Sequence, residues 1–237
     1  MIKTIFKRTE KKYQLSKYLQ ESFKETMIPY MKKDEHENSV ITNIYFDNES
    51  YDVIRDSIEM PIYKEKLRIR CYEKLRDDAT VFFEIKKKYD KVVYKRRQKM
   101  KLSDVKRYLN EGIFEEIDSQ IMREIDHIRK LKSLKPCVMI SYEREAFFGN
   151  DDDDFRVTFD KNIECVKCDE SLAPISEKVK TLGDDPCIME VKTNGGWPMW
   201  LARFMSENKV FHKRYSKYGE YYKKHLYKEI LGGKKNA

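Results

Sequence analysis

The sequence predicts an α+β protein built on an antiparallel β-barrel or a strongly curved sheet, with helices at its periphery. Strand-like segments recur in neighbouring pairs, which is typical of antiparallel sheets. Segments with helical spacing flank these pairs instead of alternating with single strands. Many of the strands carry charged residues at every second position. Because side chains alternate between the two faces of a strand, one face of this sheet is expected to be strongly polar.

The elements follow one another along the chain with recognisable boundaries. After a strand-like start, Leu15, Leu19 and Phe23 recur at helical spacing. Asn48 and Ser103 are each expected to cap a helix, and Gly149 to Asp154 to form a hairpin tip. Strands are predicted at 40–46, 63–73, 80–88, 92–100, 137–146, 155–159 and 187–192. Longer helices are predicted at 114–134, 198–208 and 215–230.

The composition points to a polyanionic partner. Charged residues make up 38% of the 237 residues, above the usual share of about 25%, and the formal net charge is +8. A solvated, lysine-rich surface would also explain these figures. Only the positions of the charged residues can distinguish such a surface from a binding site for a polyanion. Cys165 and Cys168 have CxxC spacing, but no second pair lies at zinc-site spacing, and reduced cysteines are the simpler interpretation.

The hydrophobic pattern bears on location. No segment approaches the roughly 20 apolar residues of a membrane span, and the N-terminus has no apolar signal region. We therefore expect a cytoplasmic protein without a membrane span, and the sequence leaves a membrane-protein partner open.

Cations concentrate on one face of the predicted sheet. A solvent-exposed face of an antiparallel sheet commonly explains such alternation. Here, however, Lys and Arg cluster on neighbouring strands, where like charges repel. A triphosphate or polyphosphate would compensate them. Isolated carboxylates among the cations, together with phosphate oxygens, would suit Mg²⁺ or Mn²⁺. The residues at these alternate positions, which we call the charged parity, are Arg8, Glu10, Lys12, Lys64, Lys66, Arg68, Arg70, Glu84, Lys86, Lys88, Lys95, Arg97, Lys99, Tyr142, Arg144, Arg156, Thr158, Asp160, Glu190 and Lys192.

Six short segments occur in an order that is specific as a set, although each alone is not. Together they resemble the polyphosphate polymerase domain of the vacuolar transporter chaperone (VTC) family, one of the triphosphate tunnel metalloenzymes (CYTH-like superfamily). Arg8 stands where the wider superfamily often has the first Glu of a Glu-x-Glu-x-Lys strand, which weakens the case for a two-metal hydrolase. The segments span the chain from Arg8 to Lys217: they begin at Arg8, Lys66, Phe83, Tyr142, Met189 and Ser216.

This resemblance implies a single domain over residues 1–237: an antiparallel eight-stranded β-barrel tunnel with peripheral helices. It implies phosphate-binding cations at Lys12, Arg68, Arg70, Lys86, Lys95, Arg144 and Lys217, of which the four lysines are assigned catalytic roles, and a metal ligand at Glu190. The charge alternation adds Arg8, Lys66, Arg97 and Lys192 as phosphate ligands, and Glu10 and Glu84 as metal ligands. Mn²⁺ or Mg²⁺ is the expected cofactor.

The function that this resemblance implies is metal-dependent phosphoryl transfer from ATP to inorganic polyphosphate. A ring of Lys and Arg suffices for alignment and charge neutralisation, and the P-loop pattern GxxxxGK[ST] is absent. A triphosphatase that hydrolyses inorganic triphosphate or nucleotides, and a non-catalytic polyphosphate-binding module, remain alternatives. Nucleic acid is not an expected partner, because no RNA-recognition signature is visible and a narrow lumen would exclude a duplex.

Overall fold

The computed structural model describes residues 9–90, 92–112, 119–183 and 186–228, with the backbone alone described for residues 35–38. Within these ranges the protein has nine strands, six helices and a π-helical turn at Tyr222–Leu226, and no described helix is long and apolar enough to cross a membrane. The strands are β1 Thr9–Leu15, β2 Met31–Asp47, β3 Tyr63–Cys71, β4 Thr80–Tyr89, β5 Val92–Lys101, β6 Lys135–Gly149, β7 Arg156–Lys167, β8 Val179–Lys180 and β9 Cys187–Thr193. The helices are α1 Lys17–Met27, α2 Asp52–Glu59, α3 Leu102–Glu111, α4 Gln120–Leu131, α5 Met199–Glu207 and α6 Lys217–Tyr221.

The strands form one large sheet in the order β1-β9-β7-β6-β2-β3-β4-β5, and β8 pairs with β7. Every pairing with a described register is antiparallel, which confirms the predicted sheet type. Among the described residues the order ends at β1 and β5, so the sheet is not closed into the eight-stranded barrel that was expected. Alternation identifies the polar face of a strand, but it carries no information on whether two edge strands meet.

The chain divides into two compact units. Unit 1 comprises Met1–Ser39, Tyr142–Ile163 and Leu182–Tyr215, and unit 2 comprises Val40–Ser141, Glu164–Thr181 and Ser216–Ala237. Each unit has a hydrophobic cluster of its own.

In unit 1, α1 and α5 cover the apolar side of β1, β7 and β9. The ring of Phe23 on α1 lies 5.9 Å from that of Phe159 and 4.9 Å from that of Phe204, between centroids. α1 begins where the Ser16 hydroxyl accepts a hydrogen bond from the backbone N–H of Leu19. The predicted hairpin tip between β6 and β7 is confirmed, because the backbone N–H of Gly149 donates to the carbonyl of Phe155 and the N–H of Phe155 donates to the carbonyl of Asp152.

In unit 2, α3 and α4 pack on the apolar side of β3, β4 and β5. Their buried residues are Leu102, Val105, Tyr108, Leu109, Met122, Ile125 and Ile128, and they join Leu67, Ile69, Val81, Phe83 and Ile85 of the strands in one cluster. On the strands, these apolar residues alternate with the charged residues and therefore lie on the opposite face, as the sequence pattern predicts.

Neither of the two helix caps predicted in unit 2 lies at the predicted residue. The capping residue of α2 is Tyr51, which makes no side-chain cap hydrogen bond, although Oδ1 of Asn48 accepts a hydrogen bond from the backbone N–H of Asp52 at 3.0 Å. The prediction for Ser103 is wrong, since α3 already begins at Leu102. The backbone N–H groups of Leu102 and Ser103 donate to the carbonyls of Ala79 and Asp77, so tertiary contacts occupy the groups that a cap would satisfy.

Candidate phosphate-binding sites

The strand registers of unit 2 place the predicted cations on one face. Lys66, Lys86 and Lys95 lie directly opposite one another on β3, β4 and β5. Across the described parts of these three strands, ten cations share this face with one carboxylate, that of Glu84. Adjacent lysines repel one another at this spacing. The face therefore has a large excess of positive charge.

Glu84 is the centre of this cation cluster, and only 1% of its surface is exposed. Nε and Nη2 of Arg68 both lie 2.8 Å from Oε2 of Glu84, and Nζ of Lys95 lies 2.6 Å from Oε1. Nε of Arg70 lies 4.0 Å from Oε2 of Glu84 and donates a hydrogen bond to Oδ1 of Asn43 at 2.9 Å. Burial alone would raise the pKa of Glu84, but Arg68, Arg70 and Lys95 outweigh it and lower that pKa. Glu84 is thus an ionised anchor for three cations.

The lowered pKa of Tyr45 indicates a positive electrostatic potential on this face. Its hydroxyl lies 3.3 Å from Nη1 of Arg68, which donates to it. Burial raises the pKa of Tyr45, but Arg68, Lys66 and Arg70 together lower that pKa to about 7. A field that stabilises a buried phenolate also stabilises phosphate oxygens.

The segment Ser216–Lys217–Tyr218 holds Lys217 at the first turn of α6. The Ser216 hydroxyl accepts from the backbone N–H of Gly219 at 3.2 Å, and the Tyr218 hydroxyl donates to the Asp47 carboxylate at 2.9 Å. Asp47 in turn accepts the backbone N–H groups of Val53 and Ile54. Serine and tyrosine of this motif therefore fix the local backbone from which Lys217 projects.

Unit 1 contains a second charged cluster, around Glu190. On β1 and β9, Lys12 lies opposite Glu190 and Glu10 lies opposite Lys192, so opposite charges face each other across the strands. Nζ of Lys192 lies 2.5 Å from Oε1 of Glu190. Nζ of Lys12 lies 3.7 Å from Oε2 of Glu190 and 3.0 Å from Oε1 of Glu10. Burial would raise the pKa of Glu190, but Lys192, Lys12 and Arg144 hold that pKa well below its usual range. The Glu190 carboxylate is ionised.

Arg144 is oriented by a carboxylate that the sequence analysis did not assign to the site. Its Nε and Nη2 donate to the two oxygens of Asp160 at 2.6 and 2.8 Å, in a fork geometry. Asp160 is fully buried. Burial lowers the pKa of Arg144, but Asp160 more than compensates and raises it. The signal was present in the sequence, because Asp160 shares its parity with Arg156 and Thr158.

Thr158 is a second residue without an assigned role. It lies directly opposite Glu190 in the register of β7 and β9 and is buried. Within the described part of the chain, its hydroxyl oxygen is buried without a hydrogen-bond partner. A buried hydroxyl in that state costs about 1–3 kcal/mol. A polar ligand beside Glu190 would satisfy it.

The donors around Glu190 fit a divalent cation that arrives with phosphate. Among the described residues, no three His, Cys, Asp or Glu side chains converge as a metal cage. Mg²⁺ is commonly held by one or two carboxylates plus substrate phosphate oxygens, and Glu190 supplies such a carboxylate, with Glu10 nearby on Lys12. Glu84 fits this role less well, since both of its oxygens lie within 2.8 Å of a cation, whereas Oε2 of Glu190 lies 3.7 Å from Nζ of Lys12.

The predicted site residues are divided between the two units. Arg8 lies outside the described residues. Cys165 and Cys168 are buried, and burial raises the pKa of both thiols to about 12. The set in unit 1 is Glu10, Lys12, Arg144, Glu190 and Lys192; the set in unit 2 is Lys66, Arg68, Arg70, Glu84, Lys86, Lys95, Arg97 and Lys217.

Comparison with known proteins identifies the family. The model of the VTC domain family matches residues 7–226. A "putative adenylate cyclase" from Bacillus halodurans has a similar fold, with a TM-score of 0.53 and 15% identity over 87% of this chain and 92% of that chain. A "putative adenylate cyclase" from Vibrio parahaemolyticus gives a TM-score of 0.50 and 12% identity over 97% and 99%. These low identities show a shared fold alone. A comparison with curated protein sequences finds no match. Since the family model covers nearly the whole sequence, this chain belongs to the VTC domain family.

Proposed function

We propose that this protein transfers the γ-phosphoryl group of ATP to inorganic polyphosphate in a reaction that requires Mn²⁺ or Mg²⁺. A terminal oxygen of the acceptor attacks the γ-phosphorus, the bond to the β,γ-bridging oxygen breaks, and ADP leaves. Such transfer needs alignment and neutralisation of charge and no covalent protein intermediate. Membership of the VTC domain family supports a nucleotide- or phosphate-handling role.

One observation carries the proposal: the excess of cations on the polar face of unit 2. Ten Lys and Arg residues of the described β3, β4 and β5 share this face with the single carboxylate of Glu84. Arginine offers forked donors to phosphate oxygens and lysine a compact charge. We assign Arg68, Arg70 and Lys66 to binding the phosphates, and Lys86 and Lys95 to neutralising the charge that develops during transfer. We assign the same neutralising role to Lys217.

The cluster of unit 1 supplies the proposed metal ligand. Glu190 remains ionised beside Lys12, Lys192 and Arg144, and Mn²⁺ or Mg²⁺ held there by Glu190 and phosphate oxygens would neutralise charge on a bound phosphate group. Lys12, Lys192 and Arg144 bind further phosphate oxygens. Glu10 orients Lys12 through the contact at 3.0 Å.

Incubation of the purified protein with ATP and Mn²⁺ tests the reaction, with products read by gel electrophoresis and phosphorus NMR. Long polyphosphate together with ADP is the expected result. Orthophosphate alone would replace this proposal with a triphosphatase. Binding of polyphosphate without turnover would replace it with a non-catalytic binding module.

Two variants with matched controls test the site. Arg68→Ala is expected to weaken triphosphate binding, while Arg203→Ala, an exposed residue of α5, leaves it unchanged. Glu190→Gln is expected to abolish metal-dependent turnover, with Glu207→Gln on the exposed side of α5 as its control. Wild-type activity in both Arg68→Ala and Glu190→Gln would refute the assignment of these residues.

A further inference from the structure

Besides Tyr45, the cation-rich face of unit 2 carries a pair of aromatic side chains in mutual contact, Tyr72 and Phe82. Phe82 lies on that face of β4, directly between Arg70 on β3 and Lys99 on β5. Tyr72 follows the last residue of β3, and its ring meets that of Phe82 edge-on, with 5.8 Å between centroids and an interplanar angle of 77°. Tyr72 is 43% exposed. The apolar core of unit 2 lies on the opposite face of these strands, so core packing does not account for the pair.

The aromatic pair contacts the cations that we assign to phosphate binding. Nη1 of Arg70 donates to the Tyr72 hydroxyl at 3.4 Å, and its guanidinium carbon lies 5.8 Å from the centre of the Tyr72 ring. The guanidinium of Arg97 lies over the Phe82 ring at 4.7 Å. Burial raises the pKa of Tyr72, but Arg70 and Lys95 lower it, which places the hydroxyl in the field of the Glu84 cluster. The aromatic and cationic groups form one continuous surface.

The chemistry of this surface distinguishes a nucleotide from inorganic polyphosphate. Polyphosphate has no group that gains from an aromatic ring, whereas a nucleobase stacks on aromatic rings and on the planar guanidinium of arginine. Cation–π packing explains why Arg97 lies over Phe82. It does not explain why the Tyr72 ring is held against Phe82 and left open to solvent.

We propose that Tyr72, Phe82 and Arg97 form a nucleobase subsite, which binds the base of ATP while its phosphates lie on Arg70 and Lys95. This inference rests on the proposed function, because it takes the Glu84 cluster to be the phosphate site. It adds a physical reason for nucleotide rather than inorganic triphosphate to be the preferred donor.

Calorimetric titration with two ligands in the same Mg²⁺ buffer tests the subsite. The ligands are a non-hydrolysable ATP analogue and inorganic triphosphate. Tyr72→Leu and Phe82→Leu are each expected to weaken binding of the analogue about tenfold, as expected for the loss of one stacked base, while the Kd for triphosphate changes less than about twofold. Tyr72→Phe keeps the ring and is expected to retain affinity for the analogue. Tyr89→Leu, at the end of the same strand as Phe82 and 58% exposed, is the matched control and leaves both ligands unaffected.

The outcomes separate this inference from the proposed function. If Tyr72→Leu and Phe82→Leu weaken both ligands equally, the rings only support the cation cluster and the subsite is refuted. Unchanged binding of the analogue in both variants refutes it as well. If the unmodified protein does not bind inorganic triphosphate, the phosphate site itself is wrong and the proposed function fails first.

Discussion

Replacement of Glu84 by glutamine separates two roles for this residue, an anchor for cations and a ligand for a metal. The substitution keeps the size of the side chain but removes the charge that Arg68, Arg70 and Lys95 share. Removal of one partner from a buried ion pair costs roughly 3–5 kcal/mol, because the remaining charges stay buried and unpaired. The side chain of Lys95 is 39% exposed and those of Arg68 and Arg70 are 16% and 12% exposed. Solvent therefore screens part of the loss, and we expect about 3 kcal/mol.

For a chain of this size, 3 kcal/mol corresponds to a decrease in Tm of about 6–12 °C. Thermal unfolding in a buffer of low ionic strength, without metal or polyvalent anions, measures this decrease. Triphosphate is expected to stabilise Glu84→Gln more than the unmodified protein, since the ligand then supplies the missing negative charge. Glu207→Gln on α5 serves as the control for loss of a surface carboxylate.

A metal ligand would behave in the opposite way. If Glu84 served only to bind a divalent cation, Glu84→Gln would leave the Tm unchanged in metal-free buffer and would lose stability only when Mn²⁺ is present. A variant with unchanged Tm in metal-free buffer, together with weakened Mn²⁺ binding, would therefore refute the anchor role and restore the metal role.

Three further predictions concern other parts of the molecule. Thr158→Val should weaken triphosphate binding several-fold, as measured by calorimetry, because the buried hydroxyl is lost. Thr158→Ser keeps the hydroxyl and should keep the affinity. Equal affinity in both variants would show that the buried hydroxyl does not contact the ligand. Tyr218→Phe should lower the free energy of unfolding by about 1 kcal/mol in urea, since the Asp47 carboxylate loses one of its donors, and a further change in KM for ATP would show that Lys217 has moved. The lowered pKa values of Glu84 and Glu190 mean that both carboxylates stabilise the fold above about pH 4.5 and lose that contribution as the pH falls through their folded pKa. The urea midpoint should therefore fall from pH 6 to pH 3.5 and fall less in Glu84→Gln; an identical slope in that variant would contradict the assigned charge.

The polar face of the sheet could be predicted from the sequence alone. The registers place Lys66, Lys86 and Lys95 opposite one another, and Lys12 opposite Glu190, on the parity that the alternation indicated. Alternation of side chains between two faces is a property of every extended backbone and needs no knowledge of long-range contacts. The same local rule identified the apolar residues under α3 and α4.

The extent of the strands was predicted less well. The strand expected at 40–46 runs from Met31 to Asp47, because the polar residues at its start pair within the sheet although they carry little intrinsic preference for it. Likewise, α3 begins before Ser103, where contacts with Asp77 and Ala79 satisfy the first backbone donors. Both outcomes depend on partners that are distant in the sequence.

The amino-acid sequence by itself determined the fold family, the sign of the charge on each strand face and the cations available to a phosphate. The tertiary structure decided which carboxylate each cation contacts: Asp160 with Arg144, and Glu84 with Arg68 and Lys95. It also decided that Tyr72, beyond the end of β3, lies against Phe82. A strand pattern specifies a face, whereas the partner of a side chain across the sheet depends on register and strand order, which are set by the folded chain as a whole.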